Sequence, residues 1–445
     1  MSRQITIGIF FILLGAGFLG NLFLLCSGRV PCPGDPGELE TILEAVSPLN
    51  RISRRWFGAL TGETREAVRG RREVRFWRPE LTALSRPPRL GAAREAVREF
   101  AAMFPASTRK AILMVPPKSR RMKEFLPFPL PMPRPGAALA AETGLPATTL
   151  DMEFQRLSEA GIPAFLTGDH HWSPEGMSAA VDKAAEMLGL ERRGGEAESR
   201  RTVTARGDLG GMTGGAPESV GVFVPNPAED APGLPAVLIC GDSFMNIYSR
   251  GDCGWGSGAG FPDLLASRYR CRVTCIAING GGEGAARRQL AASGIDFSAY
   301  DCVLLEFPEY EVCRSDWLPT PLPTDYGSFR QTGGAVMTGT VLDVPEIPPA
   351  ESASRLYANV LGEYIVSVDG GGEFLLLLPI LRDSAMLPMP RAGARIVFRA
   401  LDWADAAPVY GSMARWSSDD ARSLRLPVIF GADAPISPPE LRDAP

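Results

Sequence analysis

The sequence predicts an α/β protein in which helices flank a parallel sheet, with an N-terminal transmembrane anchor and a small C-terminal β-rich module. Three observations lead to this prediction. Helical and strand-like segments alternate between residues 89 and 318, and the strands are continuous apolar runs, as in sheets that are covered on both faces. A long apolar run stands near the N-terminus. After about residue 340 the segments become short strands separated by turns.

Composition and charge exclude several classes of protein. Hydrophobic residues make up 45% of the 445 residues and charged residues 22%, so a sizeable core is available and the chain is not disordered as a whole. The net charge of −5 argues against nucleic acid as a partner, because phosphate binding requires a basic surface. Histidine occurs only as His170 and His171, so a multi-histidine metal site is not expected. We expect neither a metal nor a cofactor.

The N-terminal segment is predicted to anchor the chain in a membrane. Ile5 to Cys26 is an almost unbroken apolar run, long enough to cross a hydrocarbon core of about 30 Å. A cleaved signal peptide is the alternative, but no A-x-A site follows the run. Arg3 predicts a cytoplasmic head, since positive charge stays on that side. We therefore expect residues 1–27 to be a signal anchor in the inner membrane and the body to lie in the periplasm.

Changes in amino-acid composition divide the rest of the chain. Residues 28–88 are predicted to be a linker followed by an arginine-rich segment, for which a solvated helical surface is favoured over a patch that faces a polyanion. Residues 89–318 form the predicted α/β domain. Residues 319–340 are a predicted linker, because Leu318–Gly334 is rich in Pro, Gly and Thr. Residues 341–445 are the predicted β-rich module, which contains a hairpin turn at Asp369–Gly372.

The elements of the α/β domain are predicted from its apolar patterns. Helices are predicted over Ala93–Met103, over Met152–Ala160, and from Pro174 onward, with Ser173 as the N-cap. Buried strands are predicted over Ala111–Val115, Ile162–Leu166, Ala236–Cys240, Val273–Ile278 and Cys302–Leu305. Ligands bind at the carboxyl ends of the strands in such sheets, so a site is expected in the loops that follow. Of the eight cysteines, Cys253 and Cys313 are the one pair in loop-like sequence for which a disulfide is worth testing.

Two of these loops hold the parts of a serine-based active site. Asp169 and His171 are two residues apart before a helix, so the carboxylate can bind one ring nitrogen and leave the other to take a proton. Ser243 follows a strand in a glycine turn, which suits an exposed nucleophile. The spacing favours His171 over His170 as the base. We expect His170 to point away from it, toward solvent or substrate.

A third loop and several aromatic residues complete the predicted site. Asn279 and the glycines Gly281 and Gly282 follow another strand and can bring amide groups to a developing oxyanion. Trp172 is expected to bind substrate, and Phe244 and Trp255 are further candidate walls, with core packing favoured for Phe244. Each signal is unspecific alone, since a glycine turn can also be structural or hold a phosphate. Together they supply a nucleophile, a base, an orienting carboxylate and oxyanion donors.

The order of these motifs resembles the SGNH-hydrolase-like domain of the alginate O-acetyltransferase family. Asp169-x-His171-Trp172 precedes Gly241-Asp242-Ser243-Phe244, whereas ordinary SGNH hydrolases have the serine block first. The stretches Leu113–Lys118 and Leu305–Tyr310 match as well. The resemblance covers about residues 90–315. It implies an SGNH-hydrolase-like sheet with Ser243 as nucleophile, His171 as base and Asp169 as orienter.

The resemblance also implies an activity. It implies that the oxyanion hole is formed by the Ser243 amide, the glycine loop and Tyr310. The expected function is acetylation of exopolysaccharide hydroxyls in the periplasm through an acetyl-serine intermediate, with the acetyl donor supplied by a membrane-bound O-acyltransferase. The alternatives are a carbohydrate acetylesterase with the same machinery and a non-catalytic polysaccharide-binding or assembly protein. A carbohydrate-binding role for the C-terminal module fits the resemblance loosely.

Overall fold

The chain divides into two units, residues 1–69 and 70–445, in a computed structural model. The model describes residues 67–126, 130, 132–193, 199–225, 233–292, 295–314, 317, 334–345, 359–383, 385–401, 406, 410, 413–416 and 426–436. Of the first unit it describes strand β1 (Ala67–Arg69). The predicted anchor at residues 1–27 lies outside the described residues. Within them, no helix combines the length and the apolar character that a membrane span requires.

The second unit contains the other elements that the structure describes. Its strands are β2 (Arg75–Trp77), β3 (Arg109–Val115), β4 (Ala147–Thr148), β5 (Ser199–Ala205), β6 (Glu218–Val224), β7 (Ala236–Asp242), β8 (Arg272–Ile278), β9 (Cys302–Pro308), β10 (Val336–Asp343), β11 (Val360–Val368), β12 (Gly372–Arg382), β13 (Ala385–Met386), β14 (Arg395–Leu401), β15 (Ala414–Trp416) and β16 (Val428–Ile436). Its α-helices are α1 (Arg78–Ala83), α2 (Leu90–Ala102), α3 (Lys118–Arg121), α4 (Pro135–Thr143), α5 (Asp151–Glu159), α6 (Pro174–Met187), α7 (Asp208–Thr213), α8 (Ser243–Asn246), α9 (Phe261–Tyr269), α10 (Gly282–Ala292) and α11 (Glu311–Arg314).

A parallel five-stranded sheet in the order β4-β3-β9-β7-β8 confirms the predicted α/β architecture. One face of the sheet packs against α5, α6 and α9, and the other against α2, α4 and α10. Along β7, Val237 and Ile239 join the first cluster while Leu238 and Cys240 join the second. Because successive side chains of a strand point to opposite faces, a strand covered on both sides must be apolar throughout. The continuous apolar runs in the sequence therefore predicted β3, β7, β8 and β9, whereas the two-residue strand β4 was not predicted.

The strand predicted at Ile162–Leu166 is wrong. This segment folds back on the chain that follows it, and Phe165 forms an isolated bridge with Trp172. The Leu166 amide donates to the His171 carbonyl at 3.1 Å, and the Ser173 amide donates to the Ala164 carbonyl at 2.9 Å. Its backbone groups are thus satisfied by a tight local turn rather than by the parallel sheet, a difference that the apolar pattern does not encode.

Within residues 28–88, which were predicted to be a linker and a solvated arginine-rich segment, residues 74–84 are packed into the fold. Strand β2 and helix α1 lie here, and Phe76, Leu81 and Leu84 are buried. The Arg75 amide donates to the Thr167 carbonyl at 3.0 Å, so this segment is part of the folded unit next to the loop that holds the histidines. The high arginine content of the segment predicted exposure to solvent, whereas Arg75 is buried.

Two further β structures complete the unit. Strands β5 and β6 pair antiparallel and are joined through α7, forming a ribbon outside the parallel sheet. The C-terminal strands form a sheet in the order β13-β12-β16-β14-β10-β11-β15, and the pairing of β11 with β12 closes it into a barrel. The predicted turn at Asp369–Gly372 joins β11 and β12, with Val368 opposite Gly372. Cys253 and Cys313 are thiols and do not form the disulfide considered above.

The buried carboxylate of Glu309 generates a stability prediction. It accepts from Arg120 Nη1 at 2.6 Å and from the Gly136 amide at 2.9 Å, in a fully buried position. Glu309→Ala should lower the free energy of unfolding by about 3–5 kcal/mol, because it leaves a buried guanidinium without its closest anionic partner. Urea denaturation measures this. The control is Arg98→Ala, which removes an exposed ion pair with Glu95 and should cost roughly 0.5 kcal/mol or less. Equal losses in the two variants would contradict the prediction.

Candidate active site

Ser243 stands where strand β7 passes into helix α8. The Asp242 side chain caps this helix, since its Oδ1 accepts from the Phe244 amide at 2.9 Å. A Cβ at Gly241 would lie 2.6 Å from Glu306 Oε2, so the turn requires a residue without a side chain. Strand β7 lies between β9 and β8, which places Ser243 at the carboxyl end of the parallel sheet.

His171 stands just before helix α6, in a loop whose conformation is fixed by the helix start. Ser173 is the N-cap, as predicted, and its Oγ accepts from the Gly176 amide at 3.0 Å. Pro174 takes the first helical position, where its missing N–H costs nothing. The histidine loop is therefore tied at its end to the helix that packs on the sheet.

The three predicted catalytic residues come together. His171 Nε2 lies 2.8 Å from Ser243 Oγ, and His171 Nδ1 lies 2.6 Å from Asp169 Oδ1. In the neutral tautomer this geometry implies, Nδ1–H donates to Asp169 and Nε2 accepts the hydroxyl proton of Ser243. Ser243 is 5% exposed, and Asp169 and His171 are buried as well. The arrangement can activate a serine hydroxyl for attack on an acyl group in a largely dry site.

The Asp169 carboxylate is fully hydrogen-bonded. Its Oδ1 accepts from the amide of His171 at 3.0 Å as well as from the ring, and its Oδ2 accepts from Trp255 Nε1 at 2.8 Å and from the Asp208 amide at 3.1 Å. Burial opposes ionisation, but the charge of His171 and the hydrogen bonds outweigh it and hold the pKa of Asp169 below its usual value. The orienting group is thus a fixed anion.

Two charged side chains, the buried Lys118 and the half-buried Glu218, hold the backbone of the loop. Lys118 Nζ donates to the carbonyls of Thr167 and Asp169 at 3.0 and 2.8 Å. The Glu218 carboxylate accepts from the amides of Thr167 and Gly168 at 2.9 and 3.1 Å. Burial lowers the pKa of Lys118 to about 8, although Asp169 and other acidic groups oppose the shift. Lys118 and Glu218 belong to different elements, α3 and β6, so the loop is braced from two sides.

His170 does not point away from the base, which corrects the expectation from the sequence. Its ring lies 3.8 Å from the ring of His171, centroid to centroid, and stacks on Trp77 at 5.2 Å. The Asp208 carboxylate binds His170 twice, through a close contact with Nδ1 and through a 3.1 Å bond from the backbone amide. The alternation of an extended strand predicted opposite faces for the two rings, but the chain turns here and brings them side by side.

The two histidines have opposite electrostatic environments. Burial lowers the pKa of His171 below its usual value, and the positive charge of His170 lowers it further, against the opposing effect of Asp169. Burial also works against the charged form of His170, but Asp208 outweighs it and raises the pKa of His170 to about 9. Near neutral pH the base is therefore neutral beside a protonated neighbour.

A buried pair of acids lies behind the nucleophile. Glu306 Oε2 accepts from the Asp242 amide at 3.0 Å, and Glu306 Oε1 has no partner in the described part of the chain. Burial raises the pKa of Glu306, and the charge of Asp242 raises it further. Burial also raises the pKa of Asp242. Burial thus disfavours ionisation of both acids, which opposes a second negative charge next to Ser243.

The structure places the predicted aromatic walls in the core. Trp172 is 0% exposed and packs edge-on against Phe244 at 5.1 Å, which corrects the expectation that it binds substrate. Its Nε1 has no partner among the described residues. Trp255 is equally buried, but its N–H serves Asp169. Tyr310 is buried next to Trp77, with ring centroids 5.6 Å apart.

The glycine loop after β8 packs within the protein. Asn279 Oδ1 accepts from Asn246 Nδ2 at 2.9 Å, and its Nδ2 donates to Cys253 Sγ at 3.4 Å, so the amide predicted for an oxyanion is engaged elsewhere. A Cβ at Gly281 would lie 2.5 Å from the side chain of Ala285, and Gly282 has a φ of +55°. Among the described residues, no hydrogen bond joins Asn279, Gly281, Gly282 or Tyr310 to Ser243. Their oxyanion role stays a prediction.

Several residues of the site were missed from the sequence. Asp208 and Glu218 come from the β5–β6 ribbon, Lys118 from α3, and Trp77 from the end of β2. Of these residues, only Lys118 lies in a sequence motif described above, Leu113–Lys118. The other three have no local pattern, because their roles depend on contacts between distant parts of the chain.

One group of side chains has the residue types and spacing of a metal site. Within the described residues, the ligand atoms of Asp169, His170, His171 and Asp208 lie within 4.8 Å of one another. Both ring nitrogens of His171 already bind Ser243 and Asp169, and His170 Nδ1 binds Asp208. A cation here would displace the hydrogen bonds of the triad, so this donor set fits a serine-based site better than a metal centre.

Comparison with known proteins gives only distant similarities. No protein-family model matches the chain, and no curated protein does. The chain is similar to the O-acetyltransferase domain of Pseudomonas putida AlgJ, with 21% identity, 56% of this chain and 92% of that chain covered, and a TM-score of 0.40. It is similar to Pseudomonas aeruginosa AlgX, with 16% identity, 75% and 86% covered, and a TM-score of 0.37. It is also similar to a DHHW family protein from Eubacterium siraeum, with 13% identity, 52% of this chain and 88% of that chain covered, and a TM-score of 0.36.

The similarity to alginate O-acetyltransferases, which the order of the motifs predicted, is thus found among solved structures too. At TM-scores of this size it carries no argument about function. The geometry of Asp169, His171 and Ser243 in this chain is the basis for inferring a function.

Trp255 and Trp172 are both buried at the site, and comparing their substitutions tests the hydrogen bond to Asp169. Trp255→Phe removes the donor to Asp169 Oδ2, and a lost hydrogen bond to a buried charged group is worth about 1.5–3 kcal/mol. We expect kcat/KM for a model acetyl ester to fall by roughly ten- to hundredfold. Trp172→Phe is the control, because its indole N–H has no partner in the described residues. If both variants lose activity equally, the hydrogen bond to Asp169 is not what orients the base.

Proposed function

We propose that the chain is an O-acetyltransferase that acetylates hydroxyl groups of an exopolysaccharide through an acetyl-Ser243 intermediate. The observation that supports this most directly is the chain of contacts from Asp169 Oδ1 through the His171 ring to Ser243 Oγ, at 2.6 and 2.8 Å. A serine hydroxyl becomes a nucleophile when a neutral imidazole can accept its proton and a carboxylate stabilises the imidazolium that forms. The low pKa of His171 supplies the neutral imidazole.

The first half of the reaction acylates the serine. Ser243 Oγ attacks the carbonyl carbon of an acetyl ester donor while its proton passes to His171 Nε2. The tetrahedral intermediate collapses with cleavage of the bond to the donor oxygen, which takes the proton from His171. Acetyl-Ser243 and the deacetylated donor result. Asp169 stays ionised throughout and stabilises the imidazolium.

The second half transfers the acetyl group to a sugar. His171 Nε2 takes the proton of the acceptor hydroxyl, whose oxygen attacks the acetyl carbonyl, and Ser243 Oγ leaves with the proton from His171. Transfer requires that the acceptor displace water from the acyl-enzyme.

The acceptor, the donor and the compartment are part of the proposal. The exopolysaccharide acceptor is supported by the resemblance of the Asp169-x-His171-Trp172 and Gly241–Phe244 motifs to alginate O-acetyltransferases. A membrane-bound O-acyltransferase would deliver the acetyl group. The apolar run Ile5–Cys26 and Arg3 support a periplasmic body anchored in the inner membrane.

Acylation of Ser243 tests the proposal. The full chain, incubated with p-nitrophenyl acetate and quenched in acid, should gain the mass of an acetyl group on the peptide that contains Ser243. Ser243→Ala should lose both this label and turnover of the ester. The control is Ser249→Ala, since Ser249 donates to Asp263 and plays no part in the triad.

The products of a second incubation distinguish the alternatives. With an acetyl donor and an oligosaccharide acceptor, an acetylated oligosaccharide supports the transferase. Release of acetate alone, with no acetylated sugar, assigns a carbohydrate acetylesterase instead. If the wild-type chain neither acquires the label nor turns over the ester, the proposal is wrong and a non-catalytic polysaccharide-binding protein remains.

A further inference from the structure

We propose that His170 is a positioning residue: Asp208 and Trp77 hold its protonated ring against the ring of His171 and thereby keep His171 in the neutral form that accepts the proton of Ser243. This inference deepens the proposed function and rests on it for its catalytic consequence. The charge states of the two rings can be tested without any substrate.

The first support is the way in which Asp208 grips His170. One carboxylate oxygen contacts His170 Nδ1 closely, and the other accepts from the His170 backbone amide at 3.1 Å. The Asp208 amide in turn donates to Asp169 Oδ2 at 3.1 Å. A residue at the start of α7 thus binds the orienter of the triad through its backbone and the neighbour of the base through its side chain. Movement of Asp208 would disturb both.

The second support is the packing of the His170 ring between two aromatic rings. Trp77 stacks on it with an interplanar angle of 22°, and the His171 ring is inclined to it by 37°. The edge of Phe244 closes a further side, with ring centroids 5.9 Å apart. An indole face stabilises a cation, so this packing favours the imidazolium. It also fixes the distance at which the charge acts on His171.

The third support is the charge around the pair. Three acidic side chains act on His170 to favour its charged form, namely Asp208, Asp169 and Asp242, and Glu80 lies within electrostatic range. The cations nearby are Lys118, which binds the carbonyl of Asp169, and Arg314, which lies over Trp77 at 5.2 Å. The acidic groups prevail over burial and raise the pKa of His170 to about 9. The imidazolium therefore persists through neutral pH.

The pKa of His171 depends on two neighbours of opposite charge, Asp169 and His170. Alone, the anionic Asp169 would hold a proton on His171 and so block its role as a base. The charge of His170 opposes this and, with burial, keeps the pKa of His171 low. Asp169 can then orient the ring strongly without protonating it.

NMR of the imidazole rings tests the charge states directly, because His170 and His171 are the only histidines of the chain. The full chain is labelled with ¹⁵N-histidine and titrated. Each of the variants His170→Gln and His171→Gln keeps a single histidine, so its two ring nitrogen signals assign those of the wild type. We expect the His170 ring to stay protonated until about pH 9 and the His171 ring to be neutral at pH 7. A His170 ring that is neutral at pH 7 would overturn the proposal.

Two variants then test the coupling. His170→Gln keeps a hydrogen-bond donor for Asp208 but carries no charge, and the pKa of His171 should rise by about one to two units. Asp208→Asn should lower the pKa of His170, and it serves as the second variant if His170→Gln fails to fold. In the pH profile of ester turnover, the rising limb should shift by the same amount as the His171 titration. The ratio of activity at about pH 8 to that at about pH 6 should therefore increase.

The outcomes separate this inference from the proposed function. If the rings titrate as expected in a wild-type chain that turns over no ester, the proposed function fails while the electrostatic coupling stands. If the wild type is active but His170→Gln leaves the His171 titration and the pH profile unchanged, His170 is only a packing residue and the inference is wrong.

Discussion

The buried carboxylate of Asp169 is the group on which the rest of the site depends. An ionised carboxylate away from water is stable only when its lone pairs are satisfied, and four donors converge on this one. They come from the histidine loop, from the start of α7 and from Trp255, three parts of the chain far apart in sequence. Fixing the anion in this way fixes the tautomer of His171, and through it the direction in which Ser243 can lose its proton.

The nucleophile and the base are supported by different structures. Ser243 is held by the central strand β7, whose neighbours pair with it on both sides, so its position is determined by the parallel sheet. His171 lies in a loop outside the parallel sheet, and two charged side chains hold the backbone of this loop: Lys118 binds its carbonyls and Glu218 its amides. Because a buried charge is costly unless it is hydrogen-bonded, the position of Lys118 is tied to that of the carbonyls it binds.

The sequence predicted the parallel sheet, its principal strands and the three triad residues, because these leave local signals: apolar runs, a Ser-Pro helix start and a carboxylate two residues from an imidazole. It failed where the outcome depends on distant contacts. Ile162–Leu166 has the pattern of a buried strand but finds its partners in its own loop. Asp208 and Trp77 carry no pattern at all, and His170 was misplaced because the turn that bends its loop is imposed by Asp208, Lys118 and Glu218.

The β5–β6 ribbon has a consequence for how the protein could lose its chemistry. It contributes Asp208 and Glu218, and among the described strands β5 and β6 pair only with each other, apart from the parallel sheet. Such a structure can open locally at a lower free energy than the sheet needs to unfold. A protease cut or a destabilising substitution in this hairpin would then silence the molecule while calorimetry of the sheet remained nearly normal. Sequence variants that map here would look harmless by melting temperature and severe by turnover.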